Sequence, residues 1–137
     1  MTSGARKPVR VLVVDNEVLI CRLLCTDLAS EPDFIVLEPC FSGEDAVATV
    51  LAEPPEIVLM DLQMPGMDGF ETTIALRERE RAAGRRHTPV VALTASAQTE
   101  TRDRALSALM DDYVTKPMTM KRLGEVIERW ARPVAKV

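Results

Sequence analysis

The sequence contains few of the residues on which metal centres, nucleic-acid modules and membrane proteins rely. It has one histidine and three cysteines in 137 residues, and the cysteines lack the spacing of a metal site. Lys and Arg number 17 against 21 for Asp and Glu, which argues against a nucleic-acid-binding module because such modules are basic. No apolar run approaches the roughly 18 residues that a membrane helix requires. We therefore expect a chain that binds neither nucleic acid nor membranes.

Aromatic residues make up only 4% of the chain, so the core is expected to be aliphatic. The cysteines, Cys21, Cys25 and Cys40, are interpreted as small buried hydrophobic residues in a reducing compartment. Residues 1–8 carry two positive charges, but the apolar stretch after them is short and ends at Asp15, unlike a secretory signal. Length and composition together predict a single cytoplasmic domain.

Short apolar segments alternate with helical patterns five times along the chain. The expected strands are residues 9–14, 34–37, 57–60, 89–93 and 113–115. The expected helices are residues 17–30, 43–53, 70–83, 97–109 and a last one that contains 123–130. The strands are apolar without alternation, which is typical of parallel strands buried on both faces. Five units are too few for a closed barrel, so the pattern predicts an open, doubly wound α/β sheet.

Polar residues follow four of the expected strands directly. They are Asp15-Asn16-Glu17, Asp61, Thr94-Ala95 and Lys116-Pro117. Each alone has an ordinary explanation as a helix cap or a solvated loop charge. The carboxyl ends of parallel strands meet at one edge, however, and doubly wound sheets bind their ligands there. Together these residues indicate a functional site.

The chemistry that suits this set is phosphoryl transfer to a carboxylate. An aspartate can attack phosphorus to form an aspartyl phosphate. A divalent cation relieves the repulsion between two neighbouring carboxylates and bridges a phosphoryl oxygen. A lysine and a hydroxyl hold the remaining oxygens, and the small side chain of Ala95 leaves the phosphoryl group accessible.

Four segments resemble the motifs of bacterial response-regulator receiver domains: VLVVD at 11–15, MDLQMPGMDG at 60–69, ALTA at 92–95 and DYVTKP at 112–117. The residues of these segments are most similar to those of receivers in phosphorelays and hybrid histidine kinases. The resemblance implies a receiver over residues 8–131, an N-terminal extension at 1–7 and a tail at 132–137. It also implies the flavodoxin-like, CheY-like (βα)5 fold with strand order 2-1-3-4-5.

The resemblance further implies a role for each site residue. Asp61 is expected to accept a phosphoryl group from a histidine of a sensor kinase or a histidine phosphotransfer protein. Asp15, Asp61 and the backbone oxygen of Gln63 are expected to bind Mg²⁺. Lys116 is expected to pair with Asp61 and to precede a cis peptide bond to Pro117.

Thr94 and Tyr113 are the implied switch residues, which change the face of the fourth helix, fifth strand and fifth helix. Tyr113 has an alternative interpretation as an ordinary half-buried aromatic. Gln63 and Ala95 are expected to influence dephosphorylation and access. The switched face is expected to bind a downstream protein or a second copy of the chain. In such a dimer the positive charges of the fifth helix could pair across the two-fold axis; otherwise they are solvated. The residues are Lys121, Arg122 and Arg129.

Two positions depart from the family pattern. Asn16 stands where receivers carry a second acidic residue that binds the metal, so we expect weaker Mg²⁺ binding, with Asn16 a doubtful ligand and Glu17 at most a partial substitute. Leu109 stands where a glycine of positive φ commonly ends the fourth helix. Either leucine adopts that conformation at a cost of about 1 kcal/mol, or the helix ends differently.

Three other functions compete with the phosphoacceptor. A pseudo-receiver that only binds proteins is supported by Asn16 alone. A phosphatase with an aspartate nucleophile lacks its second acid, because Gln63 stands two residues after Asp61. Nucleotide binding lacks a glycine-rich phosphate motif. The chain is therefore expected not to be an enzyme, although it assists its own phosphotransfer and dephosphorylation.

The remaining charged features are interpreted as solvated. The run at 77–81 is expected to form an exposed helix face with internal pairs. His87, beside Arg86, is expected to be an exposed loop residue, and it lacks the helical context and ATP-binding domain of a kinase. A complete chain of this length would act by protein contact, whereas a fragment would have lost its effector. The start at Met1 makes an origin in a hybrid kinase less expected.

Overall fold

The computed structural model describes residues 7–96 and 98–131. Strands and helices alternate in the described chain. They are β1 (Val9–Val14), α1 (Val18–Ala29), β2 (Phe34–Val36), α2 (Gly43–Ala52), β3 (Ile57–Asp61), α3 (Gly69–Ala82), β4 (Val90–Thr94), α4 (Thr99–Ser107), β5 (Asp112–Thr115) and α5 (Met120–Ala131). All neighbouring strands pair in parallel, in the order β2-β1-β3-β4-β5. The predicted doubly wound sheet and its strand order are confirmed.

Helices cover both faces of the sheet because its strands are apolar on both. All residues of β3 and β4 are buried. Side chains of α2, α3 and α4 pack in the core on one face, and those of α1 and α5 pack in the core on the other. Each fully buried Leu or Ile side chain stabilises such a core by about 1.5–3 kcal/mol. The core is aliphatic, as its composition predicts.

The start of α3 is fixed against the end of β3. Asp68 caps α3, accepting a hydrogen bond from the Glu71 amide at 2.8 Å while Glu71 accepts one from the Asp68 amide at 3.0 Å. Gly69 lies so close to β3 that a Cβ there would stand 2.5 Å from the Asp61 carbonyl oxygen, so only glycine fits. The loop after Asp61 is therefore held rigidly by the helix that follows.

Leu109 keeps the left-handed conformation that glycine commonly provides, with φ 67°. The Leu109 amide donates to the Leu106 carbonyl at 3.0 Å and the Met110 amide to the Ala105 carbonyl at 3.1 Å. These are the two bonds of a Schellman motif. Of the two alternatives raised by the sequence, the structure has the strained leucine rather than a different helix end.

Most elements differ from the predicted bounds by one residue at an end; β2, for example, ends at Val36. The largest difference is in α4, which spans Thr99–Ser107 rather than 97–109. The helix is shorter because the Schellman motif ends it before Leu109. Residue 97 and most of the predicted extension and tail, residues 1–6 and 132–137, lie outside the described residues.

The prediction that residues 77–81 form a solvated face was wrong for Arg77 and Glu80, which are 5% and 4% exposed. Arg77 donates to Glu80 at 2.8 Å, to Asp111 at 3.1 Å and to the carbonyls of Thr88 and Leu109 at 2.8 and 3.0 Å. The network joins α3 to the segments that precede β4 and β5. A buried charge is tolerated there because each of the three guanidinium nitrogens donates to a partner.

His87 is an exposed loop residue, as predicted, and its Nε2 lies 2.8 Å from Asp111 Oδ1. Cys21 and Cys40 are buried as expected, Cys25 is only partly buried, and all three are free thiols. Burial raises the pKa of the Cys40 thiol. Among the described residues, no helix has the length and apolar character that a membrane span requires.

Candidate functional site

The four polar segments predicted to form a site lie together at the carboxyl edge of the sheet. Asp61 ends β3 and Thr94 ends β4, while Asp15 and Lys116 follow β1 and β5 directly. The parallel register keeps these ends level, with Asp61 beside Leu93 and Thr94 beside Thr115. Alignment of the parallel strands therefore brings residues far apart in sequence to one edge.

Asp61 and Asp15 are buried carboxylates, 7% and 4% exposed. Lys116 Nζ lies 3.6 Å from Asp61 Oδ1, and the Gln63 amide donates to the same oxygen at 3.5 Å. Burial and then the charge of Asp15 raise the pKa of Asp61, whereas Lys116 and the Gln63 amide act in the opposite direction. The raised pKa means that one ammonium does not compensate for two buried carboxylates.

The donor set fits a hard divalent cation such as Mg²⁺. The carboxylates of Asp15 and Asp61, the amide oxygen of Asn16 and the carbonyl of Gln63 supply only oxygen atoms, which Mg²⁺ prefers. No cluster of three or more His, Cys, Asp or Glu ligands occurs among the described residues. Glu17 directly precedes α1 and is exposed.

Backbone contacts hold Asp15 and Lys116 in place. The Glu17 amide donates to Asp15 Oδ1 at 2.9 Å, so one carboxylate oxygen already has a partner. The Lys116 amide donates to the Thr94 carbonyl at 2.6 Å. The bond from Lys116 to Pro117 is cis, as the resemblance implies.

Thr94 and Tyr113 lie where the switch residues are expected. Thr94 is buried, and its hydroxyl accepts a hydrogen bond from the Ser96 amide at 3.0 Å. That bond leaves the hydroxyl proton of Thr94 free to reach another acceptor. Tyr113 is partly buried against the core between the sheet and α2, α3 and α4. Its two interpretations, switch and ordinary half-buried aromatic, are both compatible with this position.

A cleft of about 590 Å³ opens beside Asp61, between the loop after β3 and the start of α4. Gln63 is exposed on one side of the cleft and Ala95 is exposed near it. Arg104 of α4 spans the cleft, with one guanidinium nitrogen 3.6 Å from Asp68 Oδ2 and its guanidinium carbon 4.1 Å from the centre of the Phe70 ring.

Sequence reasoning missed three residues around the site. Ser96, Thr101 and Arg104 belong to no motif, and their spacing gave no signal. Away from the site, at the amino end of β5, Asp112 links β5 to α5 by accepting a hydrogen bond from Trp130 Nε1 at 2.8 Å. An acid beside the only tryptophan of a predicted amphipathic helix is a recognisable pairing.

Known proteins with similar sequence or structure include sensor kinases and isolated receivers. The chain is 39% identical over 130 residues to the sensor protein GacS of Pseudomonas syringae pv. syringae, covering 93% of this chain and 14% of GacS. It matches a chain from the Saccharomyces cerevisiae complex of the phosphotransfer protein Ypd1 and the Ssk1 receiver domain, with TM-score 0.81, 27% identity, and coverage of 93% and 92%.

A second structural match is the receiver domain of sensor histidine kinase PA1611 from Pseudomonas aeruginosa PAO1, with TM-score 0.78, 27% identity and coverage of 90% and 98%. That structure has a magnesium ion coordinated in its active-site cleft. Residues 11–128 match the family described as response regulator receiver domain. This match spans nearly the whole sheet and all four predicted motifs. The chain belongs to the response regulator receiver domain family.

Proposed function

We propose that this chain is a phosphoacceptor switch in which Asp61 receives a phosphoryl group from a phosphohistidine of a partner protein. The observation that carries the proposal is the buried Asp61 carboxylate, which has Asp15 beside it and Lys116 Nζ at 3.6 Å. A buried carboxylate beside a lysine ammonium can attack phosphorus, and the ammonium offsets the negative charge that the phosphoryl group brings.

In the transfer step, a carboxylate oxygen of Asp61 attacks phosphorus in line with the leaving imidazole. The new bond joins phosphorus to Asp61, and the bond from phosphorus to the histidine nitrogen breaks. The nitrogen keeps the electron pair and takes a proton from solvent. Lys116 stabilises the negative charge on the phosphoryl oxygens, and the fixed loop after Asp61 holds the attacking oxygen in position.

The residues at this edge fit Mg²⁺, with Asp15, Asp61 and the Gln63 carbonyl as the principal ligands and Asn16 as a weaker one. When bound, the ion neutralises the carboxylates and the transferred group. Support comes from the all-oxygen donor set and from the magnesium present in the related PA1611 receiver. Asn16 contributes no charge, so the affinity is lower than that of a site with three carboxylates.

Phosphorylation would draw the Thr94 hydroxyl toward the new phosphoryl group. Thr94 then releases the Ser96 amide, and Tyr113 moves inward, which alters the face of α4, β5 and α5. That face binds a downstream protein or a second copy of the chain. Gln63 and Ala95 flank the path by which water and the donor reach the phosphoryl group.

The phosphodonor docks on α1, next to the site. Four large apolar side chains of this helix are exposed: Val18 51%, Leu19 73%, Ile20 49% and Leu23 59%. Solvated helices seldom present such a row, and it begins three residues after Asp15. A sensor kinase or a phosphotransfer protein, the class of protein found with the Ssk1 receiver, fits this position. This chain corresponds to 14% of the length of GacS. We also propose that it acts in the cytoplasm.

Phosphotransfer profiling tests this function. Purified kinases and phosphotransfer proteins, phosphorylated on histidine, are mixed with the chain and with its Asp61→Asn variant in Mg²⁺ buffer. We expect at least one donor to label the wild type within minutes and to leave the variant unlabelled. A chain that gains no phosphoryl group from any donor or from acetyl phosphate would be a protein-binding pseudo-receiver instead.

A further inference from the structure

Arg104 links α4 to the start of α3, which follows the loop after Asp61. Its guanidinium lies 3.6 Å from Asp68 Oδ2 and 4.1 Å from the Phe70 ring centre. Both partners follow Asp61 within nine residues, whereas Arg104 lies on the opposite wall of the cleft. We propose that Arg104 is a positioning residue that holds α4 in its unphosphorylated place and so slows phosphorylation of Asp61. The proposal rests on the proposed function of Asp61.

The partners of Arg104 are themselves immobile. Asp68 uses its other carboxylate oxygen, Oδ1, to cap α3 at 2.8 Å from the Glu71 amide. Phe70 is buried in the core between the sheet and the helices of that face, with 7% of its surface exposed. A fixed carboxylate and a fixed ring face set both the position and the orientation of the guanidinium. Arg104 therefore attaches α4 to a rigid structure.

A second set of contacts attaches the start of α4 to the switch residue itself. Thr101 Oγ1 donates to Ser96 Oγ at 3.2 Å, and the Ser96 amide donates to Thr94 Oγ1 at 3.0 Å. When Thr94 turns to a phosphoryl oxygen, its hydroxyl leaves the Ser96 amide and this chain breaks. The contacts of Arg104 do not involve Thr94, so the turn of Thr94 does not release them, and they must break separately before α4 can move.

Because the position of α4 and the phosphorylation of Asp61 are linked, contacts that oppose displacement of α4 lower the rate of phosphorylation. A contact present only in the unphosphorylated arrangement lowers the population of the arrangement that accepts the phosphoryl group. An exposed ion pair and a cation–π contact together change such a population by roughly threefold to fivefold. Removing the contact should therefore accelerate phosphorylation by a similar factor.

If Arg104 acted only through its positive charge, the variants would show a different pattern of phosphorylation rates. Arg104 is a cation near a site that receives an anionic donor, so Arg104→Gln would slow phosphorylation if the guanidinium served mainly to attract the donor. Asp68→Asn would accelerate it for the same reason. The two variants break the same ion pair from opposite sides with opposite changes in charge. The positioning role predicts that both are faster than the wild type.

The test measures the initial rate of phosphorylation by acetyl phosphate in saturating Mg²⁺, from intact mass, for the wild type and both variants. Asparagine keeps the cap of α3, and thermal unfolding confirms that each variant is folded. Arg102→Gln, an exposed change of the same charge on the same helix, is the matched control and should keep the wild-type rate. The double variant should be no faster than Arg104→Gln alone, because Arg104→Gln already removes the contact with Asp68.

Rates for Arg104→Gln at or below the wild-type rate would overturn the proposal. So would an increase of the same size for Arg102→Gln, because the effect would then reflect net charge. These outcomes differ from failure of the proposed function. In that case the wild type itself gains no phosphoryl group, or Asp61→Asn gains one as readily.

Discussion

Single side chains decide how much negative charge the carboxyl edge of the sheet holds. Asp15 and Asp61 supply two carboxylates, and Asn16 occupies the position where a third would stand. Asn16→Asp restores that charge, so we expect Mg²⁺ to bind roughly fivefold to tenfold more tightly, because the affinity of such sites follows the number of charged ligands. Isothermal titration measures the change.

Asp27→Asn, an exposed change on α1, controls that titration for general charge effects and should leave the affinity unaltered. An unchanged dissociation constant for Asn16→Asp would mean that the side chain at position 16 lies outside the metal site.

Leu109 carries backbone strain that glycine would relieve. Its φ of 67° is costly for leucine, and its side chain is 49% exposed, so little burial is lost on truncation. Leu109→Gly should raise the free energy of unfolding by at most about 0.5 kcal/mol, because the greater chain entropy of glycine offsets much of the relieved strain.

Urea denaturation measures that change against Leu106→Gly, which replaces an equally exposed leucine inside α4. The helical control should lose about 1 kcal/mol. Equal losses for both variants would contradict the strain at Leu109.

The positions of polar side chains that directly follow a strand could be predicted from the sequence. The burial of charged side chains could not. Asp15, Asp61, Thr94 and Lys116 could be placed because parallel strands have a fixed direction. The burial of Arg77 and Glu80 was missed, although they continue the stripe of buried residues that Phe70 and Thr73 begin on α3. Helical periodicity could have identified them had their charge not been taken as proof of exposure.

At the scale of elements, the buried network of Arg77 connects α3 with β4 and with the turn before β5. Arg77→Met should cost about 3–5 kcal/mol, because it leaves the carboxylates of Glu80 and Asp111 buried without their cation. Arg79→Met changes an exposed residue two positions further along α3. Its free energy of unfolding should stay within about 0.5 kcal/mol of the wild-type value.

Chemical denaturation of the two variants gives the comparison. A small loss for Arg77→Met, similar to that of Arg79→Met, would show that the two acids find other partners and that the network contributes little.

The existence and order of the ten elements could be predicted from periodicity, but the contacts of α4 could not. Periodicity identifies which face of a helix is buried, and it carries no information about an exposed arginine that reaches a neighbouring loop. Arg104 meets Asp68 and Phe70 only because the order of strands sets α4 beside the start of α3. Such contacts depend on tertiary structure.

At the scale of the whole molecule, the site lowers stability in the absence of metal. Burial and Asp15 raise the pKa of Asp61 above its ordinary value of 3.8, so the native state holds that proton more tightly than the unfolded chain. The stabilisation by this proton is fully present below 3.8 and is lost as the pH rises through the raised pKa. Asp61→Asn should therefore increase stability at neutral pH.

Thermal unfolding with and without a chelator tests whether Asp61 destabilises the protein when no metal is bound. In chelator, Asp61→Asn should melt above the wild type at pH 7 and lose that advantage in strong acid. Mg²⁺ should raise the melting temperature of the wild type more than that of the variant. A variant that melts below the wild type at pH 7 would contradict the raised pKa.

We propose that Asp61 carries the phosphoryl group, and the position of that group on the chain provides a direct test. The protein is phosphorylated in Mg²⁺, the acyl phosphate is trapped by borohydride reduction, and the modified position is found by peptide mass spectrometry. We expect modification at Asp61 in the wild type and none in Asp61→Asn. Modification at Asp15, or a trapped product that persists in Asp61→Asn, would show that another residue accepts the phosphoryl group.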